Sequence, residues 1–97
     1  MFQVRITPEA LDDLRRLRKR DSKWILDEVE RQLTVQPATE TRNRKRLRPN
    51  RLAEWELRID RLRVFYDVDE PTQSIKIVAV GFKRGSRLYI RDEEIQL

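Results

Sequence analysis

Trp55-Glu-Leu-Arg-Ile59, Arg63-Val-Phe-Tyr-Asp-Val-Asp69 and Ile75-Lys-Ile-Val-Ala-Val-Gly-Phe-Lys-Arg84 decide the fold. In the first, Trp55, Leu57 and Ile59 point one way, and Glu54, Glu56, Arg58 and Asp60 the other. In the second, Val64, Tyr66 and Val68 alternate with Arg63, Phe65 and Asp67. A period of two is the signature of strands with one buried face. Asp60-Arg61 predicts a tight reversal between them, because Asp tolerates a left-handed backbone. The third segment is apolar on both faces apart from Lys76, which predicts the most central strand. Trp55 and Tyr66 are expected in the core. Arg87-Leu-Tyr-Ile90 reads as a short strand or turn. The acidic tail from Arg91 to Leu97 is expected to pack only through Ile95 and Leu97.

Upstream lies a dense basic run. Six of the ten positions 42–51 are Arg or Lys and none is acidic. The run reads as an extended connection or a frayed helical turn, closed by Pro49-Asn50. Like charges repel, so a partner that neutralises them is the simplest reason for such a block.

At the N-terminus, Phe2, Val4 and Ile6 alternate with Gln3 and Arg5, predicting a short strand. Thr7 and Pro8 supply an N-cap and a first helical residue. Ala10, Leu14 and Leu17, with Leu11 beside them, form an apolar stripe. Asp21-Ser22 is expected to cap a second helix over about 23–35, with Ile25, Val29 and Leu33 buried, Leu26 and Trp24 flanking, and Pro37 ending it. The connection is short, so the helices form an antiparallel hairpin. The expected fold is therefore α+β: one domain over 1–97, with a first strand, a helical hairpin and a three- to four-stranded antiparallel sheet carrying the helices on one face.

With 22 Lys and Arg against 17 Asp and Glu, the net charge is +5, and the pI is near 10.1. This favours a polyanionic partner, nucleic acid or an acidic protein. No cysteine is present, which excludes thiolate chemistry and disulfides. No histidine is present either, which removes the usual general base near neutral pH. No segment reaches the roughly 18 apolar residues of a membrane span, and the N-terminus lacks a signal-peptide pattern. A cytoplasmic location, no membrane contact and no metal or cofactor are the expectations.

Trp55-Glu-Leu-Arg-Ile59, Arg63-Val-Phe-Tyr-Asp-Val-Asp69 and Val80-Gly-Phe-Lys-Arg-Gly-Ser-Arg-Leu-Tyr89, in that order, resemble the RelE/ParE superfamily of type II toxin–antitoxin toxins. The resemblance covers nearly the whole chain and implies a compact microbial-RNase-like fold. In the RelE branch it implies a metal-independent, ribosome-dependent mRNA endoribonuclease, in which a 2′-hydroxyl attacks the adjacent phosphate and translation stops. In the ParE branch it implies a poison of DNA gyrase. A third possibility is a non-catalytic homologue that retains antitoxin and operator binding. The implied partners are a cognate acidic antitoxin, the ribosome and mRNA, and operator DNA through the antitoxin complex.

Carried over by residue, Arg63 matches the arginine that contacts the scissile phosphate. Lys83 stands where an RNA-cleaving member often has arginine, and Tyr89 matches a tyrosine used in stacking or acid–base chemistry. Glu54 and Glu56 replace the alternating lysines of the RelE pattern. Glu56 is the candidate base, Arg63 with Lys83 the phosphate clamp, and Tyr89 the candidate acid or stacking residue. Arg44, Lys45, Arg46, Arg48, Arg51, Arg58, Arg84 and Arg87 are the candidate RNA-binding residues.

Overall fold

The computed structural model describes all residues 1–97. Strand β1 (Gln3–Ile6) leads into helices α1 (Pro8–Arg16) and α2 (Lys19–Leu33). Strands β2 (Arg44–Arg46), β3 (Trp55–Ile59), β4 (Leu62–Asp69), β5 (Ser74–Arg84), β6 (Arg87–Ile90) and β7 (Glu93–Ile95) follow. The expected α+β architecture holds, but the sheet has seven strands, in the order β2-β3-β4-β5-β6-β7, with β1 added beside β5 in parallel.

The α1 cap is as expected: Thr7 Oγ1 accepts from Ala10 N–H at 3.1 Å, and Pro8 opens the helix. The start of α2 is not. It begins at Lys19 with no side-chain cap, because tertiary partners take both residues expected to cap it. Ser22 Oγ donates to Leu14 O at 2.6 Å, and the buried Asp21 pairs with Arg61 Nη2 at 2.8 Å. The helix ends before Pro37, whose carbonyl accepts from the buried Tyr66 hydroxyl at 2.8 Å; burial pushes that phenol's pKa well up. Trp24 and Leu26 lie on the exposed flank of α2 rather than in the core.

The sheet has a core on each face. Ala10, Leu14, Ile25, Val29 and Leu33 pack against Trp55, Leu57, Val64, Tyr66, Ile75 and Ile77 on the helix side. On the other side Phe65 and Ala79 pack with Ala53, Leu88 and Ile90. Phe65, expected to share the polar face of β4, is fully buried there, because the basic run and the tail fold back over it. Three residues of the run, Arg44–Arg46, form strand β2 rather than a frayed helical turn, and the tail supplies β7, which pairs with β6 and leaves Leu97 half-exposed.

One flank of β5 is covered by β4, broken only by a bulge near Tyr66. The other flank is shared. β1 covers Ser74–Ile77 and β6 covers Phe82–Arg84. In the gap, Val80 N–H donates to Asp13 Oδ2 at 3.0 Å, and Val78 O accepts from Arg91 Nη2 at 3.2 Å. Arg91 Nε lies 3.0 Å from Asp13 Oδ1, but off the N–H axis, so this contact is Coulombic rather than a hydrogen bond. Where β6 passes Gly81, a Cβ would fall on the Tyr89 carbonyl.

Asp13→Ala should cost about 1–3 kcal/mol in urea denaturation, since Val80 N–H loses its only acceptor in a buried setting. Burial raises the Asp13 pKa above its ordinary value of 3.8, against the lowering effects of Val80 N–H, Arg91 and Arg16. A raised carboxyl means that the folded state holds the proton more tightly. Its contribution is fullest below 3.8 and declines as pH rises through the folded value. The stability of wild type relative to Asp13→Asn should fall across that window.

Candidate functional site

The face of the sheet away from the helices is built by period-two placement. Glu56 stands opposite Phe65 and Lys45, Arg58 opposite Arg63, and Lys83 opposite Leu88. The β2 edge with residues 47–48 forms one wall of a hollow and β7 with the C-terminus forms the other. Glu56, Arg58, Lys83 and Leu88 lie between them, enclosing about 560 Å³. Six cationic residues line the groove against two acidic ones, Glu56 and Glu94, though the Arg46 guanidinium turns away over the Trp55 ring.

Glu56, the candidate base, is buried although it lies on the face of β3 opposite Trp55, Leu57 and Ile59. It accepts from Arg58 Nε at 2.8 Å, and its second oxygen lies 4.0 Å from Arg63 Nε. Arg63 is itself only 13% exposed. Its Nη1 donates to Asp60 O at 2.6 Å and to Leu62 O at 2.8 Å, tying it to the β3–β4 turn, where Asp60 has φ 54°. Its Nε is buried without a hydrogen bond. Burial is the main effect lowering its pKa; Arg58 lowers it further, while Glu56 and Asp60 oppose. Glu56, Arg63 and Lys83 thus share one face, with Arg63 braced against backbone.

Tyr89 is elsewhere. It pairs with Phe82 and stacks on it, ring centroids 5.6 Å apart and planes 22° apart. Phe82 packs against the helix-side core, so Tyr89 projects from the opposite face to Glu56, Arg63 and Lys83. The two-residue Gly85-Ser86 turn, with Gly85 at φ 63°, sets this register. Pairing Arg84 with Arg87 puts Tyr89 opposite Phe82 and Leu88 opposite Lys83.

The basic residues also divide. Arg44 is structural: its Nη1 donates to Gln32 O at 2.8 Å near the end of α2, and its Nε to Thr39 O at 3.1 Å. Arg46 lies 5.7 Å over the Trp55 ring. Lys45, Arg48 and Arg51 are exposed and form no ion pair within the chain. Arg48 and Arg51 flank a turn built by Asn50, whose Oδ1 accepts from Leu52 and Ala53 N–H and whose Nδ2 donates to Arg48 O and Ala53 O. Arg87 reaches Glu94 at 3.9 Å. Arg84 leaves the groove for the Phe82 and Tyr89 rings.

The family model described as the ParE toxin of the type II toxin–antitoxin system, parDE, matches residues 4–87. The chain belongs to the ParE toxin family. A solved toxin–antitoxin complex, RelBE2 from Mycobacterium tuberculosis, contains a chain of similar fold to this toxin. The two are 24% identical, with a TM-score of 0.73, and the match covers 84% of the toxin and 98% of that chain. Comparison with curated proteins gives no match. No helix of the toxin is long and apolar enough to cross a membrane.

Asp13, Asp21 and Arg61 carry weight that sequence reading missed. A single aspartate on a helix gives no sign that a distant strand will present it with an unpaired N–H. Glu56→Ala should lower stability by about 1–3 kcal/mol, because two arginines lose a buried partner. Arg48→Ala and Arg51→Ala should stay within about 0.5 kcal/mol. Urea midpoints measured side by side separate the buried glutamate from the free cations.

Proposed function

We propose that the toxin acts by binding rather than by cutting RNA, as a ParE-type poison of DNA gyrase restrained by a co-encoded acidic antitoxin. The observation that carries this reading is the position of Tyr89 on the opposite face of the sheet from Glu56, Arg63 and Lys83. Attack by a 2′-hydroxyl needs a base, a cation and an acid around one phosphate. Side chains on opposite faces of a sheet diverge, so these four residues do not surround a single phosphate. The candidate base is held by two arginines, and the candidate clamp is turned onto the Asp60 and Leu62 carbonyls. The family match agrees with this reading, since the ParE branch is the gyrase-directed one.

The charge supports an acidic antitoxin as partner. Lys45, Arg48, Arg58, Lys83 and Arg87 around one groove, in a chain of net charge +5, attract an acidic segment and repel a basic one. The RelBE2 chain of similar fold is part of a toxin–antitoxin complex, and operator DNA would be reached through such a complex. Ribosome-dependent mRNA cleavage is the second reading, favoured by Glu56, Arg58 and Lys83 sharing the groove. It requires the acid to come from outside this chain.

Induced expression should arrest growth with double-strand breaks and a DNA-damage response, while mapped RNA 5′ ends stay unchanged. Cuts at fixed codon positions in translated messages, with an intact chromosome, would falsify the gyrase reading. Tyr89→Phe, which keeps the ring and removes the proton, should retain toxicity; its loss would restore Tyr89 as an acid.

A further inference from the structure

Strand β7 is the weakly anchored wall of the groove. It is three residues long, pairs with β6 alone, and has one apolar side chain, Ile95, only partly buried. The two-residue turn that joins it to β6 is Arg91-Asp92, with φ of 53° and 64°. Both central residues are left-handed, as in a type I′ turn, a geometry that Asn-Gly adopts readily and Arg does not. Crossed ion contacts with α1 hold the turn in place. Arg91 Nε lies 3.0 Å from the buried Asp13 carboxylate, and Asp92 Oδ2 lies 3.5 Å from Arg16 Nη1. The second pair is largely solvated and contributes little, so Asp13 is the clamp. β7 also brings charge. Its Glu94 is the exposed acid of the groove, 3.9 Å from Arg87, whereas Glu56 is buried and already paired with Arg58.

We propose that β7 is an autoinhibitory flap hinged at Arg91-Asp92, and that the groove takes an acidic segment only once the flap has swung away. Closed, the flap narrows the groove and sets Glu94 against its cations. Open, it leaves Lys45, Arg48, Arg58, Lys83 and Arg87 facing Glu56 alone. A strained turn, three ladder pairs and one half-buried side chain let β7 open without unfolding the rest of the sheet. With only the open state competent, the apparent affinity is the intrinsic affinity multiplied by the open fraction. The proposal rests on the reading of the groove as the site of an acidic partner, and adds its regulation.

The experiment pairs residue-resolved hydrogen exchange of the full chain with titration of a labelled oligo-glutamate peptide. Amides of the β6–β7 ladder should exchange at least about tenfold faster than those of β3–β4. Val29→Ala, a cavity in the helix-side core, should speed β3–β4 exchange and leave β6–β7 unchanged. Asp13→Asn keeps an acceptor for Val80 N–H but removes the charge facing Arg91. It should speed β6–β7 exchange about tenfold and tighten oligo-glutamate binding by the same factor, where mere damage to the fold would weaken binding. Asp92→Gly eases the turn, and should slow that exchange and weaken binding, each about threefold. If β6–β7 amides exchange only together with the core, there is no flap and the proposal falls. If exchange shifts as stated while affinity stays put, the flap exists but does not gate the groove, and the proposal falls again. If the peptide binds none of the four proteins, the acidic-partner reading fails and takes the gating with it.

Discussion

Two strands share one flank of β5, and a buried aspartate closes the break between them. Val80 N–H points into a gap that neither β1 nor β6 reaches, and Asp13 supplies the acceptor from α1. An unpaired amide there would cost about as much as a lost buried hydrogen bond. Arg91 completes the arrangement by donating to Val78 O while offsetting the carboxylate charge. One cluster thus fastens the helical hairpin, the central strand and the C-terminal hairpin together. Because β7 is a wall of the cationic groove, the groove's shape depends on a carboxylate on the far side of the sheet.

Strand parity then separates residues that lie close together in the sequence. Lys83, Arg84 and Tyr89 lie within seven residues, yet Lys83 faces the groove and Tyr89 the helix side. The separation follows from a two-residue turn, after which facing residues are fixed in pairs and every second side chain changes face. This much was readable in advance, given the glycine and the turn length. A phosphate site assembled from Glu56, Arg63, Lys83 and Tyr89 ignores that rule. Two surfaces result: a groove with a buried glutamate, and a helix-side face where Phe82 and Tyr89 stack on each other.

The arginines show why composition cannot locate a binding surface. Arg44, Arg61, Arg63 and Arg91 hold carbonyls or buried carboxylates and serve the fold. Arg48 and Arg51 hold neither and remain available to a partner. All count alike toward a charge of +5. A guanidinium carries five donors in a rigid fork, so it suits backbone carbonyls as well as phosphates.

Period-two alternation and turn chemistry were enough, in the sequence itself, to determine β3, β4 and a central β5. The 3.6-residue stripes and Thr7-Pro8 determined the helical hairpin, and the composition determined a net charge of +5. Local backbone sterics and one-sided burial act over a few residues, so they leave a local record. The tertiary structure alone decided that Arg44–Arg46 of the basic run form β2, that Phe65 is buried on the second face, and that Asp21 pairs with Arg61 while Ser22 turns back to Leu14. It also decided that Asp13 closes the sheet. Each of these depends on a donor, acceptor or apolar surface outside the local window, from eight residues away for Ser22 to 67 for Asp13, and no local pattern encodes which one will arrive.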